Sequence, residues 1–202
     1  MKTLFIIACY ICISHLRAQT PGAADAQTIA LNPLLHEWLL RQELQLERFF
    51  GVDAVLELYD DSGEMNAVAI PDSHRILIGY RLIRYHLLKD GRGLRSLQAV
   101  LAHEYAHLAQ ERYPNSLSFA YRELHADLLA GYFLSRNGLV DASGFWVYAN
   151  ATYETGDYHS GSFYHHGTPP ERLTCLMAGF RLAELSLEEA FRIGEEFVET
   201  NF

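Results

Sequence analysis

Basic charge is scarce in this chain. Sixteen lysines and arginines face 25 acidic residues over 202 positions, a formal net charge of −9, and only Lys2 and Lys89 are lysines. That balance excludes a nucleic-acid partner, because gripping phosphates requires a basic face that the composition does not supply. Long apolar runs are also missing. The longest, Leu4 to Ile13, is half of the roughly 20 residues needed to cross a bilayer, so no stable membrane span is expected. Cysteine is limited to Cys9, Cys12 and Cys175. Internal repeats and low-complexity segments are absent, which excludes solenoids and arrays.

The first residues account for two of those cysteines. Met1-Lys2, the apolar run, and Ser14-His15-Leu16-Arg17-Ala18 before Gln19 read as the charged, hydrophobic and cleavable parts of a signal peptide over residues 1–18. An uncleaved anchor is the alternative. A lipid anchor at Cys9 has too little hydrophobic leader before it. Cleavage predicts a secreted or periplasmic chain with 14 basic and 25 acidic residues, a net charge of −11. Cys175 would then stand alone, so no disulfide framework can form and the fold must rest on its core.

Residues 19–31 are small and polar and predict a flexible N-terminus. A single domain is expected over 32–202, long enough for one substantial core. Asn32-Pro33 reads as a helix cap followed by proline at the first helical position, and the apolar spacing continues to Gly51. Extended patterns follow at Ala54–Tyr59, Asn66–Ile70 and Arg75–Gly79, with Asp60-Asp61-Ser62-Gly63 and Pro71-Asp72-Ser73 as turns. These predict a small antiparallel sheet of three strands. Helices are expected at 80–89, 94–113, 117–136, 144–155, 170–183 and 187–199. The fold class is α+β, one sheet followed by packed helices.

His103-Glu104-Tyr105-Ala106-His107 is an HExxH sequence inside the helix predicted at 94–113. One helical turn separates the imidazoles, so they share a face and can share one metal ion. Glu104, beside the first of them, can reach an attacking water without ligating the metal. With 10 His and 16 Glu in the chain, chance would produce about 0.04 such matches. The next helix adds Glu123 and Asp127, two carboxylates four apart on one face. Turning them inward against two histidines would be costly without a metal. Glu123 would complete a His₂Glu zinc (Zn²⁺) site with the fourth position open. Asp127 would accept a hydrogen bond from a ligand ring, His103 for preference. An oxyanion donor is sought among Tyr158, His159, Tyr164, His165 and His166, with His166 first and Tyr164 second.

HExxH followed by a helix reading Glu123-Leu124-His125-Ala126-Asp127 resembles the gluzincin-type zinc metallopeptidases. Asn66-Ala67-Val68-Ala69-Ile70-Pro71 and the strand ending at Gly79 look like the edge strand before the active helix of HtpX-like and related soluble zinc peptidases. His166-Gly167-Thr168-Pro169-Pro170-Glu171-Arg172 is similar to the loop before their next helix. The resemblance runs from about Asn66 to Arg172 and implies a zincin-like fold, with Asn66 and Ala67 along the bound peptide. The glycine and third histidine of metzincins are absent after His107, which excludes that branch. The lack of membrane helices excludes a membrane-embedded prenyl-protein peptidase, and the short gap from His107 to Glu123 implies a compact member.

Each residue has a plainer reading. His103 and His107 are otherwise helix histidines with no ligand, and Glu123 an ion-pair partner of Arg122 or Arg172. Asp127 is an alternative third ligand. His125 points to another face and packs or meets solvent. His165 and His166 belong equally well to an ordinary polar loop, Asn66 to a turn, and Arg172 to a helix-start pair. The aromatic residues from Phe145 to Tyr164 form either a core helix and loop or a substrate wall.

The expected function is an exported zinc peptidase acting on peptide or protein substrates. One alternative is a zinc-containing but inactive module that binds an extended peptide on the Asn66 edge strand. Another is a narrow processing enzyme kept closed until a regulatory partner opens its cleft.

Overall fold

The computed structural model describes residues 32–62, 65–88, 93–113, 117–139 and 166–202. The expected signal peptide, the flexible N-terminus, the helix at 144–155, and Tyr158, His159, Tyr164 and His165 lie outside these residues.

Asn32 starts helix α1 (Pro33–Phe50), its side chain accepting from the amides of Leu34 and Leu35, and Gly51 ends it with φ 66°. Burial at Leu35, Leu39, Gln42, Leu46 and Phe50 follows the helical period and gives α1 one inward face. Strands β1 (Val55–Tyr59), β2 (Ala67–Ile70) and β3 (Arg75–Gly79) come next, with a single 3₁₀ turn at Pro71–Ser73 between the last two. Helices α2 (Tyr80–Leu88), α3 (Gly93–Arg112), α4 (Phe119–Arg136), α5 (Pro169–Phe180) and α6 (Leu187–Asn201) complete the described chain. The α+β class expected from the sequence is present.

The sheet corrects one expectation: it is mixed, not antiparallel, with the order β1-β3-β2. β3 lies in the middle, parallel to β1 and antiparallel to β2. The cause is Asp61. Its position in an Asp-Asp-Ser-Gly run suggested only a turn between antiparallel strands, yet its buried carboxylate accepts from Arg81 N at 2.7 Å and Leu82 N at 3.0 Å. These amides are orphan donors in the first turn of α2, which starts directly after β3. The ends of β1 and β3 are therefore pinned together and the two strands must run the same way. Residue 79 must be glycine for this to happen, because a Cβ there would overlap the Asp61 carboxylate.

The two sheet edges are treated differently. On β1, the Glu47 carboxylate takes the amide just before the strand, Ala54 N, at 3.0 Å, and Glu43 takes Leu56 N at 3.1 Å, so α1 covers that edge. On β2, Gly79 N donates to Asn66 O at 3.0 Å, which makes 66/79, 68/77 and 70/75 the hydrogen-bonded pairs. Ala67 and Ala69 consequently direct their backbone N–H and C=O away from β3. Helix α3 lies along that side.

Helices α3 and α4 form the centre, and residues 123–134 of α4 are buried without interruption. Helix α5 packs against α4 so closely that a Cβ at Gly179 would overlap the Leu128 carbonyl. Helix boundaries fall within two residues of the sequence expectations except at α5, which stops at Phe180 and not at 183. Arg136 of α4 captures the carbonyl of Ala183 at 2.6 Å and Tyr132 that of Leu185 at 2.8 Å, which favours turns over another helical turn.

Gly79→Ala should cost about 2 kcal/mol by overpacking, and Asp61→Ala about 1 to 2 kcal/mol through the lost cap. Because both act on one contact, Gly79→Ala should add little in the Asp61→Ala background. Urea unfolding of the two single variants and the double variant measures this, and simple additivity would contradict the pinning role of Asp61.

Candidate metal centre

The two HExxH histidines extend from the same face of α3 towards α4. Their rings stand at 87° with centroids 4.7 Å apart, and their Nε2 atoms are 3.0 Å apart. Glu123 comes up from α4 between them, with Oε2 3.3 Å from His103 Nε2 and Oε1 3.4 Å from His107 Nε2. His103 and Glu123 are buried, and His107 is partly exposed. The three side chains form a group able to hold a metal ion, one donor atom from each lying within 4.8 Å of the others.

The donor set fits a small divalent cation. Bonds of about 2.0–2.1 Å in a tetrahedron place ligand atoms about 3.3 Å apart; the two Nε2 atoms are 3.0 Å apart, and each meets its own oxygen of Glu123 at 3.3 and 3.4 Å. Charge argues the same way. Glu104, Glu123 and Asp127 are all buried carboxylates, and Arg172 is the buried guanidinium among them. With neutral histidines the group carries a net −2, which one dication cancels.

Without metal, protons take over part of that role. Burial opposes charge on His103, but the Asp127 and Glu123 carboxylates outweigh it and push the imidazole up to about 10. Burial would likewise raise Glu123, yet the rings of His107, His103 and His166 hold it well below the usual carboxylate range. Metal and protons thus compete for the same lone pairs.

The surrounding residues orient the three candidate ligands. His103 Nδ1 lies 2.9 Å from Asp127 Oδ1. Asp127 is in turn held by Arg172, Nε at 2.7 Å from Oδ2 and Nη2 at 2.9 Å from Oδ1. Burial disfavours the Asp127 charge, but Arg172 and His103 keep its carboxyl below the ordinary value. The guanidiniums once weighed as partners for Glu123 are engaged elsewhere, Arg172 with Asp127 and Arg122 with Glu111. The pair at Arg172 depends on the start of α5, where Thr168 and Glu171 form a reciprocal cap.

Glu104 points along α3 to the sheet and accepts from Ala69 N at 2.8 Å. The sequence reading set Asn66 and Ala67 beside the substrate. Asn66 extends the ladder by accepting from Gly79 N, Ala67 lies on the outward-facing register, and the amide that meets Glu104 is that of Ala69, two residues further on. The period of two in a strand could have identified it once Ala67 was chosen. His166 reaches the group from its open side, its half-exposed ring placing Nδ1 3.0 Å from Glu123 Oε2. Tyr164, the other donor considered, lies outside the described residues.

One residue near the candidate ligands, Gln110, escaped the sequence reading, and a second, His125, was expected only to pack or meet solvent. Gln110 Oε1 lies 3.0 Å from His107 Nδ1, and the signal was its position one turn beyond His107 on the same face. His125 packs rather than meeting solvent: it is fully buried, and burial lowers its imidazole to about 4, so it is neutral.

The purified chain should retain about one divalent metal ion after dialysis, measured by mass spectrometry. Glu123→Ala and His103→Ala should lose it, while Asp127→Asn should bind it about 10- to 100-fold more weakly. Retention of full metal content by Glu123→Ala would count against this ligand set.

No protein-family model, curated protein or solved structure matches the chain, so the chemistry of this centre has to be read from its own atoms.

Proposed function

We propose that the chain is an exported, zinc-dependent peptidase of the gluzincin type, with a zincin-like arrangement of edge strand, HExxH helix and glutamate helix. The observation that carries this reading is the position of Glu104. A pure metal-storage or structural site has no use for a third buried acid. Here a carboxylate sits one residue from a ligand and touches the outward amide of an edge strand on which an extended peptide can pair.

Two imidazoles and one carboxylate favour zinc among the common divalent ions. When bound, zinc would supply a Lewis acid and bring the pKa of a water towards about 7. Glu104 accepts a proton from the attacking water and returns it to the leaving amine. The outward N–H and C=O of Ala67 and the C=O of Ala69 align the peptide backbone, while the Ala69 N–H stays with Glu104. His166, beside Glu123 and half open to solvent, donates to the carbonyl oxygen as negative charge develops there. Arg172 and Asp127 hold His103 in place throughout.

The inactive peptide-binding module remains the second reading, favoured by the outward groups of Ala67 and the Ala69 carbonyl, which would serve binding equally well. Digestion of a peptide library with and without chelator separates the two. Glu104→Gln should keep its metal and lose about 10²- to 10⁴-fold in cleavage rate. Full activity in that variant would overturn the proposed mechanism, and metal without any cleavage by the parent chain would favour the binding module.

A further inference from the structure

The two ligand histidines are oriented by unlike partners. His103 rests on a carboxylate that Arg172 grips. His107 is met at Nδ1 by an amide oxygen, Gln110 Oε1, at 3.0 Å. An amide accepts at one end and donates at the other, so its remaining contacts decide which way it points. Gln110 Nε2 lies 2.8 Å from the backbone oxygen of Arg122, which can only accept. The NH₂ group must face that carbonyl, and Oε1 must face His107. It follows that His107 carries its proton on Nδ1 and turns the Nε2 lone pair towards His103 and Glu123.

The chain of bonds continues. Gln110 Nε2 is also 3.1 Å from His125 Nδ1, which must accept. His125 then carries its proton on Nε2, and that atom lies 3.1 Å from the backbone oxygen of Phe191, on α6. Two carbonyls, one on α4 and one on α6, therefore fix every proton between them. Helix α6 is shaped to this ring. A Cβ at Gly194 would come within 2.7 Å of His125 Cδ2 and 2.8 Å of its Nε2, and the Phe191 ring stands edge-on to it at 5.2 Å.

We propose that Gln110 and His125 are positioning residues that hold His107 in its metal-binding tautomer and tie the metal affinity of the site to the docking of helix α6. This rests on the metal-centre reading, and it is independent of peptide hydrolysis.

The test uses the full chain and two metals as probes: zinc affinity by competition with a chromophoric chelator, and cobalt(II) for the hyperfine-shifted N–H resonances of the ligand rings. Gln110→Ala should bind zinc about 10- to 100-fold more weakly. Gly194→Ala, which alters no ligand, should shift affinity in the same direction by displacing His125. Cobalt-loaded parent protein should show two slowly exchanging Nδ1–H signals, and Gln110→Ala only that of His103. Should Gln110→Ala fail to fold, His125→Phe removes the same link without emptying the space and is expected to weaken zinc binding as well. Unchanged affinity in folded variants would overturn the proposal, and so would weaker binding with both signals intact, which is the mark of a loosened fold. Parent protein that takes up no metal would overturn this proposal and the metal-centre reading together. Metal binding with these losses but no peptide cleavage would support the relay and remove only the peptidase reading.

Discussion

Everything near the centre of this molecule depends on burying three carboxylates, of Glu104, Glu123 and Asp127, beside two histidines between α3 and α4. Charge removed from water must be balanced where it lies, and an unpaired buried carboxylate costs several kcal/mol or gives up its charge. Each acid has a defined counterpart. Asp127 has Arg172 and His103, Glu104 has the Ala69 amide, and Glu123 has three imidazoles converging on its two oxygens. Only the last set leaves lone pairs aimed at a common point. Within that set His103, His107 and Glu123 form a group that could hold one dication, with His166 beside it.

That balance explains why elements distant in the chain hold fixed positions. Helix α5 carries Arg172, and its packing against α4 at Gly179 lets the guanidinium reach Asp127. The sheet contributes the other side. Asp61 pins β1 to the start of α2, β3 is thereby placed in the middle, and β2 becomes the edge that runs along α3. Were β2 central, the amide of Ala69 would be spent on a neighbouring strand and could not meet Glu104. A helix cap remote from the ligands thus decides which backbone groups line the candidate site.

Local pattern and tertiary contact divide cleanly at particular residues. The spacing of His103, Glu104 and His107 is a property of any α-helix, and so is the shared face of Glu123 and Asp127, which is why these five were legible before any coordinates. Ser186 with Glu189 and Thr168 with Glu171 are local caps of the same kind. Gln110 carried only a weak local signal, because any residue one turn past a histidine shares its face. His125 carried none. Its partners, Gln110 on α3 and Phe191 on α6, lie 15 and 66 residues away.

Among the described residues the sequence alone determined the elements, nearly all their ends, and the pairing of a two-histidine helix with a two-acid helix, since hydrophobic period, capping and residue spacing act within a few residues. Tertiary structure decided the rest: that Asp61 caps a helix and does not close a hairpin, that the sheet is mixed, that Arg172 goes to Asp127, and that Ala69 faces Glu104. Each of those outcomes compares partners 20 or more positions apart, and the choice among them is made by which buried polar groups can all be satisfied together. No local pattern contains that comparison.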